Sequence, residues 1–134
     1  MPEPAFYFDP LRRRNVAATP EEKVRQWFIG VLAEQAGVPL HMMMSEVPMK
    51  YGLKKWRADI VVWASDGSAL AVTECKRPGV ALDAEVERQA LRYQGVLGVR
   101  FIFLTNGAST GVYVRSGVSF VPLDHIPSYS EMTA

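Results

Sequence analysis

The sequence predicts an α/β protein in which helices cover a central mixed β-sheet. Two segments with the hydrophobic spacing of a helix alternate with several short apolar strands. These strands carry apolar residues toward both faces, and strands of that kind are normally covered on both sides. The predicted order is one helix, three strands, a second helix, and two or three further strands.

Length and composition indicate a single domain in a reducing compartment. The chain has 134 residues, enough for one hydrophobic core, and a formal net charge of +1. Because acids and bases nearly balance, overall charge predicts no nucleic-acid or membrane partner. The single cysteine excludes an internal disulfide, and the N-terminus lacks the pattern of a secretion signal. We therefore expect a cytoplasmic protein.

We divide the chain into an N-terminal arm, residues 1–18, and a single domain, residues 19–134. The arm contains three prolines and no periodicity. The first helix follows, with Thr19 as its N-cap, Pro20 at its first position and Gly37 as its stop. Its apolar face is predicted to contain Val24, Trp27, Phe28, Val31 and Leu32.

The remaining elements follow from turn residues and hydrophobic periodicity. The first strand lies within "HMMMSEVPMKYG", where Pro48 predicts an edge position or a bulge. Two strong strands flank Asp66-Gly67, and a second helix begins near Leu82. The last strands are predicted in "RFIFLT", "GVYVR" and "VSFVP".

Asp66-Gly67 predicts the register of the two strong strands. The pair favours a two-residue type I′ turn, which needs positive φ at both positions. Side chains alternate along a strand, so the residues paired by this turn share one face. The predicted pairs are Ser65 with Ser68, Trp63 with Leu70, Val61 with Val72, Asp59 with Glu74, and Arg57 with Lys76.

Two carboxylates, Asp59 and Glu74, are thereby placed opposite each other at one end of the hairpin. Opposed residues have β-carbons about 4.5–5.5 Å apart, and like charges placed so are destabilising unless something lies between them. Such a pair can bind a hard cation such as Mg²⁺. Lys76 lies on the same face, where it can hold a water or stabilise charge on a phosphate. The arrangement predicts metal-assisted phosphodiester hydrolysis.

The same register also permits a purely structural interpretation. Diagonal pairs of Asp59 with Lys76 and of Glu74 with Arg57 would form an ordinary charge ladder at the end of the sheet. The predicted geometry leaves both interpretations open.

Five motifs in this order, "PEEKVRQWF", "RADIVV", "TECKRP", "QALRY" and "TNG", resemble those of the PD-(D/E)xK nuclease superfamily. Within it, the chain resembles the N-terminal nuclease domain of type I restriction enzyme R subunits and its stand-alone relatives. The resemblance spans Thr19 to Gly107. It implies a restriction-endonuclease-like αβββαβ core and cleavage of DNA with Mg²⁺, for which Mn²⁺ can substitute. DNA is the implied partner, with restriction-system subunits as further candidates.

The resemblance also implies roles for individual residues. Asp59 and Glu74 would be metal ligands, with the carbonyl of Cys75 as a third. Lys76 would position the attacking water or stabilise charge. The alternative function is a catalytically inert module of the same fold that binds nucleic acid or a partner subunit.

The second helix carries a further part of the resemblance. Gln89 and Tyr93 match a Gln-x-x-x-Tyr signature found after the core in several nuclease families, and Gln89 would lean toward the phosphate. One departure is that Arg57-Ala58 stands where the superfamily name has a proline before the acid.

An acid on the first helix often completes such sites, and two residues are candidates. Glu22 lies three residues after Thr19, so a capping box would explain it without function. Helical phase predicts that Glu21 lies nearer the apolar face and is better aimed at the site. Glu46, on the first strand, is a third acid that could contribute.

The segment "KYGLKKWR", from Lys50 to Arg57, interleaves basic and aromatic residues just before Asp59. This composition is typical of a grip on a nucleic-acid backbone. A solvated connecting loop is the alternative interpretation.

Overall fold

The computed structural model describes residues 3–134, apart from the side chain of Tyr93. An N-terminal hairpin consists of β1 (Phe6–Asp9) and β2 (Arg14–Ala17). The central sheet contains β3 (Met43–Tyr51), β4 (Lys54–Trp63), β5 (Ala69–Cys75), β6 (Phe101–Thr105), β7 (Thr110–Ser116) and β8 (Ser119–Leu123). The helices are α1 (Pro20–Gly30), extended by a π-helical turn over Val31–Gln35, then α2 (Ala84–Gly95) and α3 (Tyr129–Thr133).

The central sheet has the strand order β3-β4-β5-β6-β7-β8. Strands β5 and β6 are parallel, and every other neighbouring pair is antiparallel. One core cluster joins the sheet to α1 and α3, and a second joins its other face to α2. The predicted α/β class with a mixed sheet is therefore confirmed. The hairpin within the N-terminal arm and the short helix α3 were not predicted.

Helix α1 begins as predicted but buries a somewhat different face. The Thr19 hydroxyl accepts a hydrogen bond from the Glu22 N–H at 3.1 Å. Val24 and Phe28 are buried, whereas Trp27, predicted on the apolar face, is 47% exposed. Val24 and Phe28 lie one helical turn apart on the buried stripe, whereas Trp27 lies at the edge of this stripe.

Strand β3 is one of the two edge strands of the sheet, as Pro48 predicted. The segment Lys50 to Arg57 is not a loop but two paired strands that turn at Gly52. Gly52 has a φ of +60°, a left-handed conformation that glycine adopts without steric cost. We call residues 47–58 the β3–β4 ribbon.

The turn at Asp66-Gly67 has three residues rather than the predicted two. Gly67 has a φ of +87° but Asp66 does not have positive φ, so a type I′ turn is excluded. The Gly67 N–H donates to the Ala64 carbonyl at 3.0 Å, and the Ala64 N–H donates to the Ser68 carbonyl at 2.8 Å. The predicted pairing of Ser65 with Ser68 is therefore wrong.

A β-bulge between Val62 and Trp63 then restores the predicted register. Trp63 pairs with Ala69 instead of Leu70, and Leu70 packs on the α1 side of the sheet. Beyond the bulge Val61 pairs with Val72, as predicted. The longer turn and the bulge each shift the pairing by one residue, in opposite directions, so their effects cancel.

Candidate active site

Asp59 and Glu74 lie beside each other where the pairing of β4 with β5 ends. The last pair is Ile60 with Thr73, and continuing that register places Asp59 opposite Glu74. The Cys75 N–H donates to Asp59 Oδ2 at 2.7 Å, which fixes this carboxylate against β5. The Asp59 and Glu74 side chains are 24% and 26% exposed, so both remain accessible to solvent and ligands.

The side chains of β3 and β4 that point into the core change from one face of the sheet to the other at Asp59. Met43 and Ile60 pack in the α1-side core, whereas Val47 and Ala58 pack in the α2-side core. The exchange occurs at Glu46, whose φ is +55°, between the pairs Ser45–Ile60 and Val47–Ala58. A non-glycine residue in this conformation is strained, and such strain is often located at functional sites. This interruption of the regular alternation places Glu46 and Asp59 near the same buried arginine, Arg25.

Lys76 follows β5 directly and points its ammonium group at Glu74. The main-chain N–H of Lys76 donates a hydrogen bond to the Thr105 carbonyl at 2.8 Å, and its side-chain Nζ lies 3.1 Å from Glu74 Oε1. The predicted opposition of Lys76 to Arg57 is absent because β5 ends at Cys75. Among the described ion pairs, Arg57 contacts Glu46 at 3.2 Å, and neither diagonal pair of the predicted charge ladder forms.

Arg25, on α1, connects the acids of this region and was not identified from the sequence. Its Nη2 lies 2.7 Å from Glu46 Oε1 and 3.7 Å from Asp59 Oδ1, and its Nε lies 3.5 Å from Glu22 Oε2. The side chain is only 8% exposed. Within the described residues, Nε and Nη1 make no hydrogen bond of good geometry. A basic residue within an apolar helical stripe, three positions after an acid, is the signal that would have identified it.

The structure reverses the expectation for the two acids of the first helix. Glu22 is 6% exposed, while Glu21, predicted to be better aimed, is exposed. The Glu22 carboxylate accepts hydrogen bonds from Arg12 at 2.7 Å and from Gln26 at 3.0 Å. The prediction was wrong because ionic partners, rather than the apolar face alone, determine which position is buried. Only the Thr19 side of the proposed capping box forms.

The N-terminal hairpin reaches the same network through Arg12. Asp9, which is fully buried, pairs with Arg12 Nε and accepts a hydrogen bond from the Leu11 N–H at 2.7 Å. Burial opposes ionisation of Asp9, but the hydrogen bonds from Arg12 and Leu11 outweigh it and lower the pKa. The alternating series Asp9, Arg12, Glu22, Arg25 thus extends from the hairpin to the acids of the sheet.

The other residues predicted for the site are Gln89 and Tyr93 on α2 and Cys75 on β5. Gln89 is exposed on α2, and within the described part of the chain no contact joins it to Asp59, Glu74 or Lys76. The Tyr93 side chain, the other half of that signature, is outside the described residues. The Cys75 thiol is buried in the α1-side core, and burial raises its pKa, as expected for a residue that is not a nucleophile.

A cleft of about 250 Å³ opens beside Glu74. Gln94 lies in its wall, is 3% exposed and accepts a hydrogen bond from Trp56 Nε1 at 3.3 Å. The cleft is lined by Lys54, Lys55, Trp56, Arg57, Glu74 and Gln94. Basic residues of the β3–β4 ribbon therefore border the same space as one of the two predicted metal ligands.

The acidic pair fits a divalent cation in charge and donor type. Burial raises the pKa of Asp59, with Glu74 and Glu46 acting in the same direction and Cys75 and Arg25 opposing them. A cation would relieve that repulsion, and carboxylate and carbonyl oxygens are the ligands that Mg²⁺ prefers. Within residues 3–134, no three His, Cys, Asp or Glu side chains are grouped closely enough to hold an ion. A cation would therefore need main-chain oxygen or water in addition to Asp59 and Glu74.

The raised pKa of Asp59 gives a prediction about stability. The folded chain holds this proton more tightly than the unfolded chain, whose pKa is about 3.9, so stability falls as the pH rises through the folded pKa. We expect Asp59→Asn, which keeps an oxygen for the Cys75 N–H, to raise the thermal midpoint at pH 7. The gain should disappear below about pH 3.9, where the wild-type carboxyl is also protonated.

Asp66 provides the matched control for this measurement. Its hydrogen bonds from the Ser68 hydroxyl and N–H lower its pKa, which is the opposite shift. Asp66→Asn should therefore not raise the midpoint at pH 7. A midpoint that falls in Asp59→Asn would contradict this prediction and would indicate that the ion pair with Arg25, 3.7 Å from Asp59, outweighs the cost of burying the carboxylate.

Comparison with known proteins relates the chain to restriction enzymes. Residues 20–127 match the sequence family described as type I restriction enzyme R protein N terminus (HSDR_N). No curated protein sequence matches the chain. Among residues 3–134, no helix is long and apolar enough to cross a bilayer.

The solved structures that are similar in fold include the following two. A fragment of a candidate HsdR subunit of a type I restriction enzyme from Vibrio vulnificus has a TM-score of 0.63 and 18% identity. That likeness covers 86% of this chain and 25% of the other, so the chain spans about a quarter of that fragment. A candidate nuclease of the DUF820 group from Anabaena variabilis has a TM-score of 0.54 and 14% identity, covering 99% and 87% of the two chains. The expected restriction-endonuclease-like fold is thereby confirmed.

Proposed function

Because the chain belongs to the family of type I restriction enzyme R protein N termini, we propose that it is a metal-dependent nuclease that hydrolyses DNA. The observation that carries the proposal is the acidic pair Asp59 and Glu74 with Lys76 Nζ 3.1 Å from Glu74. These three residues occupy the acid and acid-x-Lys positions of the motif that the sequence resembles. We place the activity in the cytoplasm, with DNA as substrate.

Asp59, Glu74 and the carbonyl of Cys75 are the residues that would hold Mg²⁺ or Mn²⁺. When bound, such an ion supplies positive charge that offsets the charge developing on the phosphate and lowers the pKa of water. The hydrogen bond from the Cys75 N–H keeps Asp59 aimed along the end of β5. The carboxylate pair is therefore oriented before a substrate arrives, which is a general requirement of efficient sites.

Lys76 would act on the attacking water and the phosphate. Its main chain is fixed to Thr105 on the parallel strand β6, so the side chain starts from a rigid position. The contact with Glu74 holds the ammonium group next to the acidic pair. From there Nζ can orient a water and stabilise negative charge as the phosphodiester bond breaks.

Arg25 and Glu22 are positioning residues in this proposal. Arg25 contacts Glu46 and approaches Asp59. Glu22 pairs with both Arg12 and Arg25 and so helps to hold the Arg25 side chain in place. Glu21 is exposed and receives no role. For Gln89, exposed on α2, we propose a contact with the DNA backbone rather than with the acidic pair.

A nicking assay on supercoiled plasmid tests the proposal. Wild-type protein with Mg²⁺ or Mn²⁺ should convert supercoiled DNA to open-circular and linear forms, and chelation should stop the reaction. Glu74→Gln, which keeps the shape of the side chain, should remove the activity. DNA binding without cleavage under either ion would contradict the proposal and leave a non-cutting module of the same fold.

A further inference from the structure

The β3–β4 ribbon extends beyond the rest of the central sheet. Pairing of β4 with β5 begins only at Ile60, so the preceding residues of β4 pair with β3 alone. At the tip, Tyr51 is 63% exposed and Leu53 is fully exposed. A two-stranded ribbon is only marginally stable by itself, so this extension depends on contacts outside the sheet.

One face of the ribbon is covered and the other is open. Met49 and Val47 pack with α2 in the second core cluster, and Trp56 donates its hydrogen bond to Gln94 of α2. Alternation along the strands places Lys50, Lys55 and Arg57 on the opposite face. All three are exposed, so the open face presents a row of cations to solvent.

The cations of this face repel each other. Lys50 and Lys55 are directly paired across the two strands, an arrangement that is destabilising for like charges. Residues 47–58 contain four bases and no acid, in a chain whose net charge is only +1. Among the described residues, neither Lys50 nor Lys55 has an acidic partner. An anionic ligand is the simplest means of neutralising the pair.

The row of cations leads to the proposed active site. Arg57 contacts Glu46, and Lys55 and Arg57 line the cleft that contains Glu74. Lys55 and Arg57 lie two strand positions apart, about 7 Å, a distance that equals about two base-pair steps of rise along the axis of a duplex. Lys50 lies across the strands from Lys55, and Arg57 lies along β4 from Lys55, so the three cations form one patch that extends toward Glu74.

We propose that the open face of the ribbon, through Lys50, Lys55 and Arg57, binds the phosphate backbone of duplex DNA and directs it toward Glu74. This inference rests on the proposed nuclease function and names the surface that holds its substrate. The contacts are made to phosphates, so the ribbon contributes affinity and orientation but no sequence preference.

The salt dependence of DNA binding tests the ribbon directly. Affinity for two unrelated duplexes is measured by fluorescence anisotropy with a chelator present, from 50 to 200 mM salt, so that no cleavage occurs. Each lost phosphate contact lowers the slope of log K against log salt by about 0.9. We expect Lys50→Ala/Lys55→Ala to make the slope about 1.8 less steep and to weaken binding to both duplexes equally. Over that salt range, wild-type affinity should fall about 12-fold more than that of the variant.

Two control variants separate charge at the ribbon from other effects. Lys50→Arg/Lys55→Arg keeps both charges and should retain the wild-type slope. Val118→Glu/Ser119→Glu changes the net charge by the same amount at the turn between β7 and β8, where Val118 is 98% exposed. That turn lies at the opposite end of the sheet from Glu74, because β7 runs antiparallel to β6. This control should leave the slope unchanged.

The outcomes distinguish failure of the ribbon proposal from failure of the nuclease proposal. A slope that is the same in Lys50→Ala/Lys55→Ala and wild type overturns the ribbon, even if cleavage still depends on Glu74. An equal decrease in the control at Val118 and Ser119 also overturns it. A decreased slope specific to the ribbon supports it, even if no ion produces cleavage and the nuclease proposal fails.

Discussion

We expect Lys76→Met to slow DNA cleavage by roughly 10²–10⁴-fold, the usual contribution of a side chain that handles a proton in the transition state. Methionine keeps much of the length of the lysine side chain but cannot donate a hydrogen bond or offset charge. The wild-type ammonium group lies 3.1 Å from Glu74, at the position where the phosphate would react. Single-turnover cleavage at saturating DNA measures the chemical step separately from binding.

Lys23→Met provides the matched control. Lys23 is an exposed lysine on α1 whose contact is an ion pair with Glu3 at 3.2 Å, and its loss should leave the rate unchanged. Lys76→Arg distinguishes two roles, because it restores charge but not the compact, mobile donor. Partial recovery in Lys76→Arg would indicate charge stabilisation, and no recovery would indicate orientation of water. A rate in Lys76→Met equal to that of Lys23→Met would contradict the assignment of Lys76.

The second large effect is expected on stability, from Arg25→Met. Removing one partner of a buried ionic group typically costs about 3–5 kcal/mol, because the remaining charge stays buried without compensation. Arg25 is 8% exposed and contacts the buried Glu22 as well as Glu46. Urea unfolding should show the loss as a lower midpoint with an unchanged slope.

Arg88→Met and a double variant are the controls for the loss of stability expected in Arg25→Met. Arg88 is exposed on α2, so its replacement should change stability by less than about 0.5 kcal/mol. Adding Glu46→Gln to Arg25→Met removes the carboxylate that lies nearest to Arg25 and would otherwise keep only its contact with the exposed Arg57. The double variant should therefore recover part of the loss, as a double-mutant cycle would record. If Arg25→Met costs no more than Arg88→Met, the network does not stabilise the fold.

Local sequence rules predicted the strands and the register at the site, but not the turn that connects the strands. Asp66-Gly67 indicated a hairpin, and the relation of Val61 to Val72 is confirmed. The three-residue turn and the bulge after Val62 are both invisible to a rule that counts residues from a dipeptide. The predicted register is correct for Val61 and Val72, next to the site, only because these two one-residue shifts cancel.

Long-range ion pairs explain what the sequence could not reveal about the site. Helical phase alone favoured Glu21, but Arg12, ten residues earlier, pairs with Glu22 and accounts for its burial. The exchange of faces at Glu46 likewise depends on contacts between separate elements, including Arg25. Motif spacing therefore identified Asp59, Glu74 and Lys76 as candidates, whereas the side chains that orient them became evident only in three dimensions.

Calorimetric titration of Mn²⁺ into the wild type and into Asp59→Asn, with an uncleavable duplex present, tests the central claim most directly. Metal binding does not depend on finding the preferred DNA sequence, and Asp59→Asn keeps the shape of the site. The account predicts saturable binding by the wild type that is lost in Asp59→Asn. Equal binding by both proteins, or binding by neither, would contradict the assignment of Asp59 and Glu74 as the metal-binding pair.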